Sequence, residues 1–188
     1  MLAALISLDQ TYFLLLNGLH SPFFDQVMYH GTNPATWLPL YLTILWLVIR
    51  KYRWQTIWVI LFAALLIIVS DQLANLAKEL TCRLRPTHES GLAGVHTVGG
   101  YVGGLYGFYS AHASSNMALA VYFILVLGRP FRGFQLLMLS YAFFMSYTRI
   151  YLGVHYPGDI LAGWMAGGLI GWGFGYLGRW FLRKKPAG

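Results

Sequence analysis

WQTIWVILFAALLIIVSDQLANLAK, residues 54–78, holds one charged side chain between its ends, Asp71. A bilayer span takes about 20 predominantly apolar residues, and this run is long enough. Residues 113–128 carry no charged side chain at all. Working outward from these two, the chain divides into five spans, at about 35–50, 55–80, 111–128, 133–151 and 158–180. The totals agree with the pattern. Of 188 residues, 57% are hydrophobic and 10% charged, where a soluble domain averages about 25% charged. Many of the 7 Trp and 13 Tyr sit near the ends of apolar runs, as in an interfacial aromatic belt. The expected fold is all-α, a multi-pass transmembrane helical bundle.

Residues 1–30 stand apart. Leu5, Leu8, Tyr12, Leu15, Leu16 and Leu19 recur at helical spacing, interrupted by Asp9 and Asn17. The pattern predicts an amphipathic helix lying in the interface, with a sixth, tilted span as the competing reading. The first Lys or Arg is Arg50, so the basic n-region of a cleavable signal is not expected.

Charge orients the spans. Arg50, Lys51, Arg53, Arg129, Arg132, Arg179, Arg183, Lys184 and Lys185 fall on one side, and Lys78, Arg83, Arg85 and Arg149 on the other. Basic residues favour the cytoplasm. The loops at 81–110 and 151–157 are therefore expected to face the periplasm or exterior, with the C-terminus cytoplasmic. The net charge of +7 does not point to nucleic acid, because the basic residues form short clusters beside apolar runs and no basic arm exists. The single cysteine, Cys82, excludes an internal disulfide framework and a multi-Cys zinc site. Gly163, Gly167, Gly171 and Gly175 give the last span one smooth face. Such a face allows close helix approach, either within the chain or between two copies of it.

Three clusters carry chemistry. Lys78, Arg85 and Arg149 sit at or near span ends, where ionisable residues usually serve function. Arg grips two phosphate oxygens at once and Lys adds a compact charge; snorkelling to lipid headgroups is the plainer account. In Tyr109-Ser110-Ala111-His112, Ser110 is placed to cap the third span. The amides behind it would then meet an anion, and the plainer account is a capping serine followed by an interfacial histidine. In Thr148-Arg-Ile-Tyr-Leu-Gly-Val-His-Tyr-Pro-Gly-Asp159, His155 and Asp159 are four apart. The carboxylate can fix the imidazole tautomer and leave the other ring nitrogen free to attack.

Taken together, Lys78-x6-Arg85-Pro86, Ser110-x-His112 and Arg149-x5-His155-x3-Asp159 resemble the site of the type 2 phosphatidic acid phosphatase (PAP2) family, in its membrane-bound lipid phosphatase branch. That family shares its site with bacterial acid phosphatases and vanadium haloperoxidases. The resemblance covers about residues 70–165. It implies one phosphatase domain over residues 1–188, with the site on the external loop 81–110. Lys78, Arg85 and Arg149 would bind phosphate oxygens, and Ser110 with the Ala111 and His112 amides would complete the cradle. His155 would attack phosphorus, Asp159 would orient it, and His112 would protonate the leaving oxygen. No metal or cofactor is implied. The family commonly has Pro-Ser-Gly-His where this chain has Tyr109-Ser110-Ala111-His112, and often Ser where it has Thr148.

Other features are less specific. Asp71, Asn75 and Lys78 are spaced to share a helix face, with Asp71 pairing a basic residue behind the site or simply holding helices together. Residues 91–107 contain seven glycines without Gly-Lys-Ser/Thr, so this is no nucleotide loop; it is a lid, a headgroup contact or a plain connector. His88 and His96 in that region are expected to be solvated. The substrates this implies are membrane lipid phosphates: a polyprenyl diphosphate such as undecaprenyl diphosphate first, then phosphatidylglycerophosphate, phosphatidic acid and a lipid A phosphate. A non-catalytic lipid-phosphate carrier or flippase is the alternative from another class. Two retained histidines speak against it, because binding alone needs only cations.

Overall fold

The computed structural model describes residues 2–128 and 132–184. Arg129 and Lys185, two of the residues that orient the chain by charge, lie outside the described residues, as do the side chains of Arg132 and Lys184. Among the described residues there are seven α-helices: α1 (Leu2–Asn17), α2 (Pro22–Gly31), α3 (Leu38–Tyr52), α4 (Thr56–Thr81), α5 (Ala111–Leu127), α6 (Arg132–Tyr151) and α7 (Pro157–Lys184). The last five coincide with the five apolar runs. No β-strand occurs among the described residues, only one bridge between Leu84 and Tyr106.

Local chemistry explains the boundaries. A three-residue 3-10 turn at Arg53–Gln55 separates α3 from α4, and Arg53 takes a positive φ of 53° there. Ser110 caps α5 by accepting from the Ala113 amide. Pro157 opens α7, where its missing N–H is not needed. At 26 and 28 residues, α4 and α7 are long and apolar enough to cross a membrane. Large apolar side chains point outward on these helices, among them Ile57, Leu61, Ile68, Leu161, Leu169 and Trp172. An exterior of this kind suits lipid and not water.

Residues 1–30 form two helices instead of the single one expected. The chain breaks after Asn17 and restarts at Ser21-Pro22, where Ser21 accepts from the Phe24 amide. Leu5, Leu8, Tyr12, Leu15 and Leu19 are all exposed. The opposite face of α1 carries Phe13 and Asn17, both fully buried. The polar residues that interrupt the apolar pattern are thus the ones turned toward the protein.

Helix α5 is the axis of the bundle and packs against α4, α6 and above all α7. The glycine face of α7 makes that contact close. A Cβ on Gly163 would come within 2.8 Å of the Ser110 carbonyl. One on Gly167 would collide with the Ser114 backbone, one on Gly171 with the Ala118 backbone, and one on Gly175 with the Leu125 side chain. The face is therefore occupied within the chain, by α5. Across the bundle, Ser70 Oγ meets Ser114 Oγ at 2.8 Å, and the Tyr122 hydroxyl donates to the Val59 carbonyl at 2.9 Å. These contacts seat the N-termini of α5 and α7 side by side, next to the C-termini of α4 and α6.

Candidate active site

At that shared end the segment Arg83–Arg85 pairs with residues 105–107. The Arg85 amide donates to the Leu105 carbonyl at 3.1 Å and the Gly107 amide to the Arg83 carbonyl at 2.8 Å. Arg85 Nε then donates to the Tyr106 carbonyl at 3.1 Å, and Nη1 reaches the Val154 carbonyl at 3.4 Å. A Cβ at Gly103 would sit 2.8 Å from Arg85 Nη1, and the residue has φ +66°. Only glycine meets both conditions cheaply.

The second and third clusters meet through backbone. The Ser110 amide donates to the Asp159 carbonyl at 3.1 Å. His155 and Asp159 are 2% and 0% exposed, and Asp159 Oδ2 lies 3.4 Å from His155 Nδ1. The same oxygen accepts from the Tyr156 amide at 3.0 Å. Burial pushes the His155 imidazole down to about 4, against the opposing hydrogen bond and charge of Asp159. Its ring is neutral at neutral pH, the form a nucleophile needs.

Arg149, at the end of α6, is only 3% exposed. Its Nε and Nη2 find no acceptor among the described residues. A buried donor left unpaired costs about 1–3 kcal/mol, and an anion would remove that cost. Lys78 Nζ donates to Asn75 Oδ1 at 3.0 Å, and Asn75 Nδ2 lies 3.4 Å from Asp71 Oδ2. The three residues do share a face, and Asp71 reaches the lysine through Asn75. His112 is in the first turn of α5, within electrostatic reach of the cations Arg149, Arg85 and Lys78. The structure thus brings together every residue singled out from the three clusters. Ala111 is half-buried beside them. The Thr148 hydroxyl donates to the Met145 carbonyl at 2.8 Å, within its own helix.

Arg83, which enters the sequence reading only through its side of the membrane, pairs through Nη1 with Asp159 Oδ1 at 2.7 Å and through Nη2 with Asp9 Oδ2 at 2.6 Å. The other Asp9 oxygen accepts from the Gly158 amide at 2.8 Å. Asp9 and Arg83 were missed because their partners lie 74 to 149 residues away in sequence. His96, expected to be solvated, is held by Asp25 at 2.9 Å and stacks on His20 at 3.8 Å. The Asn17 side chain accepts from its amide and donates to the Ile150 and Tyr151 carbonyls. His88 is partly buried, with Nδ1 3.1 Å from the Thr87 hydroxyl. The glycine-rich loop is anchored at its middle through His96 and at its end through the pairing with Arg83 and Arg85.

Residues 59–183 match the sequence pattern that defines the PAP2 superfamily. The chain belongs to this superfamily. A lipid A 4'-phosphatase of Bacteroides thetaiotaomicron is 37% identical to this PAP2 chain over 181 residues, which span 94% of it and 80% of the relative. A lipid A 4'-phosphatase of Porphyromonas gingivalis is 31% identical over 170 residues, 89% of this chain and 71% of that one. Two crystal structures share the PAP2 fold. A transmembrane PAP2-type phosphatidylglycerolphosphate phosphatase from Bacillus subtilis superposes with a TM-score of 0.70 at 22% identity, covering 97% of this chain and 88% of that one. Aquifex aeolicus LpxE gives 0.64 at 23% identity, covering 90% and 93%.

Proposed function

We propose that this PAP2 chain is a membrane-embedded phosphatase that removes a phosphate group from a lipid through a phosphohistidine. The observation that carries the reading is the pairing of a buried, neutral His155, oriented by Asp159, with the unpartnered buried donors of Arg149. His155 Nε2 attacks phosphorus in line, and the bond from phosphorus to the lipid oxygen breaks. His112 gives that oxygen its proton. His112 then takes a proton from water, whose oxygen attacks phosphorus; the P–N bond breaks and inorganic phosphate leaves. Arg149, Arg85, Lys78, Ser110 and the Ala111 and His112 amides neutralise the charge that builds on the phosphoryl oxygens. Arg83 and Asp9 are positioning residues that hold Asp159 from behind.

Two relatives named lipid A 4'-phosphatases support a lipid A phosphate as the substrate, over the polyprenyl diphosphate that the sequence reading puts first. The test is phosphate release by purified protein in detergent from a panel of defined lipid phosphates. Release is expected to be fastest from a lipid A phosphate, to persist in chelator and to stop with vanadate, which mimics five-coordinate phosphorus. Activity lost in chelator and restored by Mg²⁺ would show a different mechanism. Faster release from a polyprenyl diphosphate would return that lipid to first place.

The five runs α3 to α7 are taken as the spans, with the site facing the periplasm or exterior. The support is the segregation of charge, since Arg50, Lys51, Arg53, Arg179 and Arg183 gather at the opposite end. Single cysteines placed in residues 91–107 and near Arg183 of a Cys82→Ser variant separate the two orientations. In intact cells an impermeant maleimide is expected to label the loop and spare the tail, and the reverse labelling would invert the topology.

A further inference from the structure

About 25 Å from the site, the length of the 17-residue α5 at 1.5 Å per residue, the C-terminal ends of α3, α5 and α7 enclose a second cavity. Its volume is about 270 Å³, and Lys51, Tyr52, Arg179 and Arg183 supply its polar lining. Lys51 Nζ donates to the Val126 and Leu127 carbonyls at 2.7 Å each, and the Tyr52 hydroxyl donates to the Val126 carbonyl at 2.6 Å. These bonds close the open end of α5 and fix both side chains at the cavity wall. Arg179 and Arg183 are four residues apart on α7, a spacing at which like charges repel. The charge of Arg179 also reaches Lys51.

No acidic side chain among the described residues lies beside these cations. Its six acidic residues are Asp9, Asp25, Asp71, Glu79, Glu89 and Asp159. Five of them lie at or beyond the site end of the bundle. Asp71, the remaining one, is 15 positions along α4 from Thr56, or about 22 Å. The ion pairs among the described residues also lie at the site end. An anion from outside the chain would supply that balance. Leu125 and Leu182 add apolar lining, and the exposed Trp54 and Trp180 follow Tyr52 and Arg179 within two residues in sequence, the setting of a lipid headgroup at a membrane surface.

We infer that this cavity binds the phosphate of an anionic phospholipid, with its oxygens between Arg179, Arg183 and Lys51. Basic pockets between membrane helices take such headgroups. The site is separate from His155, so it stands or falls independently of the phosphatase reading.

The test uses the purified chain in neutral detergent. Its thermal midpoint is followed while phosphatidylglycerol, phosphatidylcholine or inorganic phosphate is added, for wild type and for Arg179→Gln/Arg183→Gln. Phosphatidylglycerol is expected to raise the wild-type midpoint saturably, and phosphatidylcholine to leave it unchanged. In the double variant the apparent affinity is expected to fall roughly thirtyfold, the value of two surface cations. Phosphate release in phosphatidylcholine should be unaffected by the two substitutions. Arg179→Lys/Arg183→Lys, which keeps the charge, should retain most of the shift and so separates binding from misfolding. An equal shift in wild type and the Gln variant would overturn the inference. So would a full shift with inorganic phosphate alone, which would make the ligand a free anion.

Discussion

His155→Ala is expected to lower phosphate release by four orders of magnitude or more while the protein stays folded. No other group in the site is placed to form the covalent intermediate, and loss of a nucleophile typically costs about 10⁴- to 10⁶-fold. The fold should tolerate the change. His155 has one side-chain hydrogen bond, at 3.4 Å to Asp159. Asp159 keeps its bonds from Arg83 and from the Tyr156 amide. Circular dichroism and the thermal midpoint should stay near wild type, and His155→Gln, which fills the space, should be as inactive as the alanine variant. Near-normal turnover by either variant would remove His155 from the mechanism.

Arg83→Ala should damage both stability and rate. Asp159 is 0% and Asp9 15% exposed, and Arg83 is the cation they share. Removing one partner of a buried pair costs about 3–5 kcal/mol. Water reaches Arg83, whose side chain is 24% exposed, so about 2–4 kcal/mol is the expected loss. With the carboxylate behind His155 held only by the Tyr156 amide, kcat should fall about a hundredfold, the usual effect of a reacting group displaced by about 1 Å. KM should change little, because Arg83 does not belong to the phosphate cradle. Arg83→Lys keeps the charge but lacks the fork that reaches Asp9 and Asp159 together. It should recover more stability than rate. A KM effect with kcat intact would mean that Arg83 binds substrate directly. Wild-type behaviour of Arg83→Ala in both readouts would show that the two ion pairs do not matter.

The bundle helices were legible because membrane helices announce themselves in continuous apolar runs. The expected 55–80 and 111–128 became Thr56–Thr81 and Ala111–Leu127. The main site residues were legible for a related reason. His155 with Asp159, Lys78 with Asn75 and Ser110 with the following amides are local pairs, so helical and turn spacing places them together. Local spacing says nothing about which remote surface a side chain will meet. Asp9 looked like an interruption of an apolar stripe until α1 folded against Arg83 and Gly158. Asn17 and His96 looked solvated or incidental until the α1–α2 turn met the glycine-rich loop and the end of α6. The glycine face of α7 left two partners open, and the closeness of the Ser114 and Ala118 backbones chose one. Sequence alone determined the helices and the local pairing of the proposed reacting groups, because both depend on neighbours within a few turns. Tertiary structure decided what holds those groups in place, because charge pairing and close packing depend on distance in space.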